Sequence, residues 1–336
     1  MKKALIIGID HYNDPIKNLH SGVAGAREIG NILNVHYAKE GKAEVPNFSC
    51  KVLTSSPCDY KKTKISRAVL KENLFELFED DEADSALLFF SGYAFENSLG
   101  GYLMTQDASE HEEGVAFDDV MTYANNSSIK DITIILDGYT EEKNQLNEPN
   151  LSKSNHQKIE TAALRKGVSI LTVETRLGAA NFDSGQGRFA DLLCHVLESG
   201  GDDDVLGHVT LAEFYAIADR ILAPLGHQVV FKSNAARLTV LRHANPQIDY
   251  AILQKMKQYF PDKRYKVPLF PECLKSQGST NEKAIRKYKN LQKMVRCGLV
   301  EPINEEHMYY AALHKKHCGR TEKGLQYWYL VESGQI

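Results

Sequence analysis

The chain has 336 residues, of which 43% are hydrophobic and 25% charged, and this is the composition of a globular protein with material for about two domains. No apolar run approaches the roughly 20 residues that span a bilayer, and the first one ends at Asp10, too early for a signal peptide. The six cysteines lack the spacing of a disulfide framework. We therefore expect a cytoplasmic protein with reduced thiols and no membrane contact.

The net charge of −4 conceals an asymmetry along the chain. Residues 251–336 carry 16 Lys and Arg against 8 Asp and Glu, whereas the first 250 residues carry 24 against 36. A basic end behind an acidic body predicts two modules with different partners.

Residues 1–245 alternate between short apolar runs and helical patterns. Strands are predicted at 3–9, 49–54, 85–91, 100–104, 131–137, 168–174 and 228–241, and helices at 22–37, 62–80, 117–125, 156–166, 187–198 and 210–223. The main strands are continuous runs rich in Val, Ile, Leu and Phe, which is typical of strands covered on both faces. The alternation predicts an α/β domain with a mostly parallel sheet and helices on both faces. The polar segment 140–156 is predicted to be a surface loop.

A different pattern begins near residue 246. Helices are predicted at 247–260, 281–297 and 304–317, and the aromatic segment 324–331 is predicted to be a terminal β-ribbon. Helices followed by such a ribbon look like a small winged-helix α+β module. We therefore expect two domains, at residues 1–245 and 246–336.

Two strand ends carry the most informative motifs. Phe89-Phe90-Ser91-Gly92-Tyr93 and Ile135-Leu136-Asp137-Gly138-Tyr139 resemble the two catalytic segments of the caspase/metacaspase peptidase clan. Further segments resemble clan motifs in the same order, and they are 4–12, 19–26, 101–108, 187–190 and 228–231. The resemblance covers roughly residues 3–242 and implies the caspase–haemoglobinase-like fold, with Tyr93 at the position of the dyad histidine and Tyr139 at that of the dyad cysteine.

The resemblance implies a cysteine nucleophile with an imidazole base, and neither residue is present. A phenol titrates near 10, so at neutral pH only about a thousandth of Tyr139 would be ionised, and Tyr93 would be a poor base. We expect the two rings to stack or hydrogen-bond and to fill the cleft. Catalytic residues are therefore predicted to be absent.

Relatives that prefer basic residues hold the substrate side chain between two carboxylates. By resemblance Asp137 is the first of these and the candidate substrate-binding residue, whereas Gly25 occupies the position of the second. A plain alternative for Asp137 is a carboxylate that caps local amides. Thr140, Glu141 and Glu142 replace the residues that usually follow the cysteine.

The basic module offers a second candidate site. Nucleic-acid contacts are predicted for Lys287, Lys293, Arg296, Lys315, Lys316 and Arg320. The alternative is a solvated face used for protein contacts. His314, His317 and Cys318 share a predicted helix, and a solvated helix end is favoured there over a zinc site. No nucleotide motif and no cofactor site is predicted.

Three functions remain open at this stage. The first is an inactive caspase-like pseudopeptidase that acts as a regulator or scaffold, paired with an active caspase-like protease in a prokaryotic antiviral defence or conflict pathway, as the resemblance implies. The second is a DNA-binding regulator that acts through residues 246–336. The third is a cysteine-type endopeptidase relative with residual or unconventional activity.

Overall fold

A computed structural model of the chain describes residues 1–13, 16–38, 43–55, 64–97, 100–109, 112–141, 161–177, 187–201 and 204–336. The chain divides into two compact units. Unit 1 consists of residues 1–38, 44–201 and 208–244, and unit 2 consists of residues 39–43, 202–207 and 245–336. Within the described ranges, no helix combines the length and the apolar character needed to cross a membrane.

Unit 1 contains twelve strands and five helices among the residues described. The strands are β1 (Lys2–Gly8), β2 (Val35–Tyr37), β3 (Glu44–Pro46), β4 (Phe48–Thr54), β5 (Ser85–Asn97), β6 (Gly100–Ser109), β7 (Glu112–Ala116), β8 (Asp131–Glu141), β9 (Val168–Leu177), β10 (His208–Thr210), β11 (Gln228–Ser233) and β12 (Val240–His243). The helices are α1 (Gly22–Asn34), α2 (Arg67–Phe78), α3 (Phe117–Asn126), α4 (Arg188–Ser199) and α5 (Leu211–Leu222).

The central sheet has the strand order β11-β9-β8-β5-β1-β4. The pairs β1–β4, β1–β5, β5–β8 and β8–β9 are parallel, and only the β11–β9 pair along this path is antiparallel. The strands β6 and β7 extend the sheet from the far end of β5. The predicted α/β class with a mostly parallel sheet is therefore confirmed.

The two faces of the sheet build two separate cores. Alternate residues of the strands pack with α2 and α3 on one face and with α1, α4 and α5 on the other. Ile6, Phe89 and Ile135 are register partners and belong to the second core, whereas the next residues along, Ile7, Phe90 and Leu136, belong to the first. Burial on both faces explains why these strands read as unbroken apolar runs.

Most predicted elements of unit 1 are confirmed, and three are wrong in part. Helix α1 ends at Asn34 because Val35–Tyr37 forms β2, which pairs with β3. The predicted strand 228–241 is two strands in different sheets, since β11 pairs with β9 and β12 with β10. The predicted helix 156–166 lies largely outside the described residues, and residues 162–166 are not helical.

Unit 2 has its own core and a three-stranded antiparallel sheet of order β13-β15-β14. Its strands are β13 (Val267–Pro268), β14 (Val300–Ile303) and β15 (His317–Arg320). Its helices are α6 (Tyr250–Leu253), α7 (Met256–Tyr259), α8 (Glu282–Arg296), α9 (Met308–Leu313) and α10 (Glu322–Glu332). Of the predicted helices, 281–297 is confirmed as α8, 247–260 is two single turns, and 304–317 shortens to α9 and is followed by β15 rather than by more helix.

The predicted terminal ribbon is wrong, because residues 322–332 form α10. The hydroxyl of Thr321 accepts the Gly324 amide at 3.0 Å and begins the helix. A Cβ at residue 324 would come 1.8 Å from the Leu299 carbonyl oxygen, so this close approach requires glycine. Tyr327, Trp328 and Val331 then face the core at helical spacing. The aromatic content, which favours strands, concealed this period.

Candidate functional site

The candidate site lies at the carboxyl ends of β5 and β8. Ser91 is the register partner of Asp137, Gly92 of Gly138, and Tyr93 of Tyr139. The two tyrosines are therefore neighbours on adjacent parallel strands, as the two motifs predicted. Both side chains are buried, with 4% of Tyr93 and 1% of Tyr139 exposed.

The Tyr139 hydroxyl is held by polar groups from three places in the chain. It donates to Asp137 Oδ2 at 3.2 Å and accepts the Gly187 backbone N–H at 3.2 Å, and the Ser21 hydroxyl lies 3.5 Å away. Ser21 and Gly187 are the N-cap residues of α1 and α4. The phenol thus lies between two helix N-termini and a carboxylate.

Asp137 is fully buried beneath this hydroxyl. Its Oδ2 also accepts the Ser91 hydroxyl at 2.8 Å, and its Oδ1 is buried with no hydrogen-bond partner among the described residues. Burial raises the pKa of Asp137 to about 7, although the Ser91 and Tyr139 hydroxyls oppose the shift. Both of its described partners are hydroxyls, so the predicted capping of local amides is not what the structure displays.

Tyr93 is fixed by a different neighbour, Tyr12. The Tyr12 hydroxyl accepts the Tyr93 backbone N–H at 2.8 Å, and the two rings meet edge to face with centroids 5.0 Å apart. A Cβ on Gly92 would come 2.6 Å from the Tyr12 hydroxyl oxygen, so a larger residue at this position would have to displace the Tyr12 hydroxyl. This packing holds the Tyr93 side chain at the carboxyl end of β5.

The phenols of this region are poor acids. Burial raises the pKa of Tyr139 well above its ordinary value, and the neighbouring Asp137 charge raises it further. Burial likewise raises the pKa of Tyr12. A buried neutral phenol is a weaker nucleophile than an exposed one, because the phenolate is disfavoured where water is excluded.

Asp10 orders the helix that carries Ser21. Its two carboxylate oxygens accept the Gly22 and Val23 amides at 2.8 and 3.2 Å, which are the first two N–H groups of α1. A carboxylate at this place satisfies two amides that the helix cannot pair and complements the helix dipole. Asp10 therefore has a structural role at the rim of the site.

Gly25 meets a packing requirement between two helices. A Cβ at residue 25 would lie 2.6 Å from the Cβ of Ala190, because α1 and α4 approach each other closely there. The space that a second acidic side chain would occupy is filled by this helix contact.

A small cavity lies on the other face of the sheet. It measures about 20 Å³, adjoins Gly138 and is lined by Phe90, Leu136 and Glu174 among others, whereas neither Asp137 nor the two tyrosines line it. This volume suits one water molecule. On the same side of the sheet the Thr140 hydroxyl donates to Glu174 Oε1 at 3.1 Å. Glu142 and most of the predicted loop 140–156 lie outside the described residues.

The predicted cluster of His314, His317 and Cys318 is divided between two elements. His314 follows α9 and bonds Glu305 Oε1 at 2.8 Å, whereas His317 and Cys318 begin β15, so the three do not share a helix. No group of three potential metal ligands occurs among the residues described. Cys194 is buried on α4, and burial raises the pKa of its thiol to about 12.

The predicted nucleic-acid residues separate into two groups. Lys287 lies over the Tyr259 ring at 5.3 Å, and Arg320 lies between the Phe260 and Trp328 rings at 5.0 and 4.8 Å. These two take part in the packing of unit 2. Exposed side chains are found for the others, which are Lys293, Arg296, Lys315 and Lys316.

Sequence reasoning missed the roles of Tyr12, Ser21 and Gly187 in fixing the tyrosines. Tyr12 and Gly187 stood inside motifs that resembled the clan, and Ser21 precedes a predicted helix as an N-cap would. The sequence therefore indicated a local feature at each of the three residues, but only the folded chain brings them into contact with Tyr93 and Tyr139.

No protein-family model and no curated protein matches the chain. Among solved structures, the chain is similar to the protein GSU0716 from Geobacter sulfurreducens, with 14% identity, a TM-score of 0.45 and coverage of 70% of this chain and 94% of that one. It is similar to caspase-1 from Spodoptera frugiperda, with 12% identity, a TM-score of 0.44 and coverage of 72% and 90%. It is also similar to the Drosophila initiator caspase Dronc, with 9% identity, a TM-score of 0.42 and coverage of 73% and 82%.

Proposed function

We propose that unit 1 is a catalytically inactive, caspase-like pseudopeptidase that works by binding a protein partner. The observation that carries the proposal is the buried Tyr139 hydroxyl, which donates to Asp137 and accepts the Gly187 amide. A substrate side chain that reached Asp137 would have to displace this phenol. The site is therefore filled by the chain itself.

The chemistry of the two strand ends supports inactivity. Hydrolysis by a cysteine peptidase needs a thiolate and a base that shuttles a proton, and residues 93 and 139 supply two phenols instead. Because burial raises the pKa of Tyr139, the phenolate is scarcely populated near neutral pH. Loss of a nucleophile alone costs several orders of magnitude in rate.

The resemblance made Asp137 the candidate for binding the basic side chain of a substrate. In this chain its carboxylate is fully buried, and Gly25 supplies no second charge. We propose that Asp137 now orients Tyr139 rather than a substrate. The residue would then stabilise the filled state of the site.

The partner surface that we favour is the free side of β11. This strand pairs with β9 alone among the described strands, and edge strands can add a further strand from a partner. Ile221 is exposed on α5, which packs beside β11, and Leu225 is exposed in the turn that follows α5. We propose that an active caspase-like protease of a prokaryotic defence pathway docks there.

A cleavage assay tests the inactivity. Purified full-length protein is incubated with a peptide library derived from a whole proteome, and new termini are counted by mass spectrometry. The proposal predicts no cleavage above a no-protein control. Cleavage by clean protein that disappears in Tyr139→Phe would instead establish the unconventional peptidase.

The partner surface needs a separate test. An Ile221→Asp/Leu225→Asp variant is compared with Phe75→Asp, which changes an exposed residue of 53% accessibility on α2, across the sheet. In capture from the native host, wild type and Phe75→Asp should retain the caspase-like protease, and the double variant should lose it. Equal retention by all three would remove the β11 surface.

A second candidate function is DNA binding by unit 2, because the exposed cations of residues 246–336 outnumber the acids. The winged-helix interpretation of this module stays a proposal. The helices α8 and α9 flank β14, and β14 and β15 form a ribbon that could contact a groove.

A further inference from the structure

Helix α8 displays five cationic side chains on one exposed face. They are Lys283, Arg286, Lys289, Lys293 and Arg296, which follow one another at spacings of three or four residues. The opposite face of the helix, with Tyr288, Leu291 and Met294, is buried in the core of unit 2. We call the five exposed residues the α8 stripe.

Few acids oppose the α8 stripe. Glu282 lies in the first turn, where a negative charge complements the helix dipole. Asp249 lies 3.1 Å from Lys293, and about half of each side chain is exposed, so water screens this pair strongly. The remaining four cations have no ion pair among those found in the described residues.

We propose that the α8 stripe binds the phosphate backbone of duplex DNA. The inference rests on the second candidate function and assigns it to one surface. The five charges extend over about 20 Å of helix, or roughly one charge per 5 Å. A regular row of cations of this kind matches a regular row of phosphates, and a helix about 10–12 Å wide fits the major groove.

Two other polyanions fit the surface less well. A helix that binds an anionic membrane needs an apolar face to insert, and the apolar face of α8 is already buried in the core. An acidic protein segment would need hydrophobic anchors beside the charges. The solvent face of α8 carries charged side chains from residue 282 to residue 296 and offers no such anchor.

The α8 stripe differs from the set predicted from sequence. Lys287 and Arg320 lie against aromatic rings, which leaves them less available for phosphates. Lys315 and Lys316 belong to the turn between α9 and β15. The sequence already placed Lys283, Arg286 and Lys289 on the same basic helix, and their side chains are exposed.

The test is a fluorescence-anisotropy titration of the full chain with a labelled duplex of about 20 base pairs. Wild type is compared with a Lys283→Ala/Arg286→Ala/Lys289→Ala variant. A matched control is Lys263→Ala/Arg264→Ala/Lys266→Ala, which removes the same charge from the exposed segment 261–266 of unit 2. Circular dichroism checks that all three proteins are folded.

If the wild type makes five phosphate contacts, raising the salt from about 50 to about 200 mM should weaken its DNA binding several-hundred-fold. The α8 variant keeps two of these contacts, so the same rise in salt should weaken its binding only about tenfold. The control should behave like wild type, and scrambling the duplex sequence should change little.

No wild-type binding at low salt would overturn both the stripe and the second candidate function. Loss of DNA affinity in the control triple variant alone would mean that unit 2 binds DNA through residues 263–266 and not through the α8 stripe. Equal losses of DNA affinity in both triple variants would mean that the overall positive charge of unit 2, and not the α8 stripe, binds DNA, which would overturn the proposal. Binding only to anionic vesicles or to an acidic peptide would also overturn it. None of these results bears on the pseudopeptidase, which is tested by peptide cleavage.

Discussion

Tyr93 and Tyr139 are register partners on adjacent parallel strands, yet different neighbours hold them. Tyr93 is fixed through Tyr12, whose hydroxyl accepts its amide, whereas Tyr139 is fixed through its own hydroxyl by Asp137 and Gly187. The two tyrosines therefore belong to one buried cluster at the ends of β5 and β8, which Tyr12, Asp137 and Gly187 hold in place.

Removing the Tyr139 hydroxyl should destabilise unit 1. Tyr139→Phe removes the acceptor of the buried Gly187 amide and leaves Asp137 Oδ2 with Ser91 alone, which costs about 1–3 kcal/mol. Urea unfolding measures this difference. Tyr310→Phe, at a position 46% exposed, is the control and should change the free energy of unfolding by less than about 0.5 kcal/mol. Equal effects of the two variants would mean that the hydroxyl bonds contribute nothing.

The stability of unit 1 should fall as pH rises through the titration of Asp137. Its folded pKa of about 7 exceeds the ordinary 3.8, so the folded state binds the proton more tightly than the unfolded state. The loss of stability that comes from ionising buried Asp137 is absent below about pH 4, grows up to about pH 7 and then stays constant. Its upper bound is roughly 4 kcal/mol.

Asp137→Asn removes that titration, so its stability relative to wild type should improve between about pH 4 and pH 7. Unfolding curves at several pH values measure the difference. The exposed Asp219→Asn on α5 should leave the pH profile unchanged. A profile of Asp137→Asn parallel to that of wild type would contradict the raised pKa.

Acid should weaken another part of unit 1. The His243 ring lies between those of His36 and His208, with centroid distances of 5.1 and 4.9 Å, and His36 Nδ1 is buried without a hydrogen-bond partner among the described residues. Burial, with the charges of Lys2 and Arg242, lowers the pKa of His36.

Because the folded pKa of His36 is below the ordinary 6.5, its contribution to stability is present above about pH 6.5 and is lost as pH falls through the folded value. His36→Gln should therefore flatten the loss of stability below about pH 6.5, as thermal melts would record. The exposed His195→Gln on α4 is the matched control and should keep the wild-type profile. If His36→Gln and His195→Gln have the same pH profile, the lowered pKa of His36 does not contribute to the loss of stability in acid.

A larger side chain at residue 25 should destabilise unit 1. Gly25→Asp or Gly25→Ala places a Cβ against Ala190, and such overpacking costs about 1–3 kcal/mol. Ala190→Gly should recover most of the loss when it is combined with Gly25→Ala, because it moves the methyl group from one helix to the other. A double-mutant cycle without coupling would contradict the close approach of α1 and α4.

The sequence predicted the sheet of unit 1 because its strands are buried on both faces, and an unbroken apolar run such as Leu87–Phe90 indicates such a strand. Residues 93 and 139 were predicted to be neighbours because the ends of parallel strands meet. The hydrogen bonds of Tyr139 could not be predicted, since Ser21 and Gly187 are distant in sequence. The strand preference of aromatic residues misled the prediction for α10, where the capping Thr321 and the buried Gly324 were the better signals.

The most direct test of the filled site is the hydroxyl proton of Tyr139, observed by NMR in protein with labelled tyrosine. We predict a slowly exchanging hydroxyl signal with a nuclear Overhauser effect to the Gly187 amide proton, because the phenol is 1% exposed and bonded to Asp137. The signal should be absent from Tyr139→Phe and present in Tyr310→Phe. A Tyr139 hydroxyl that exchanges rapidly with water and has no contact to Gly187 would show that the phenol does not fill the site.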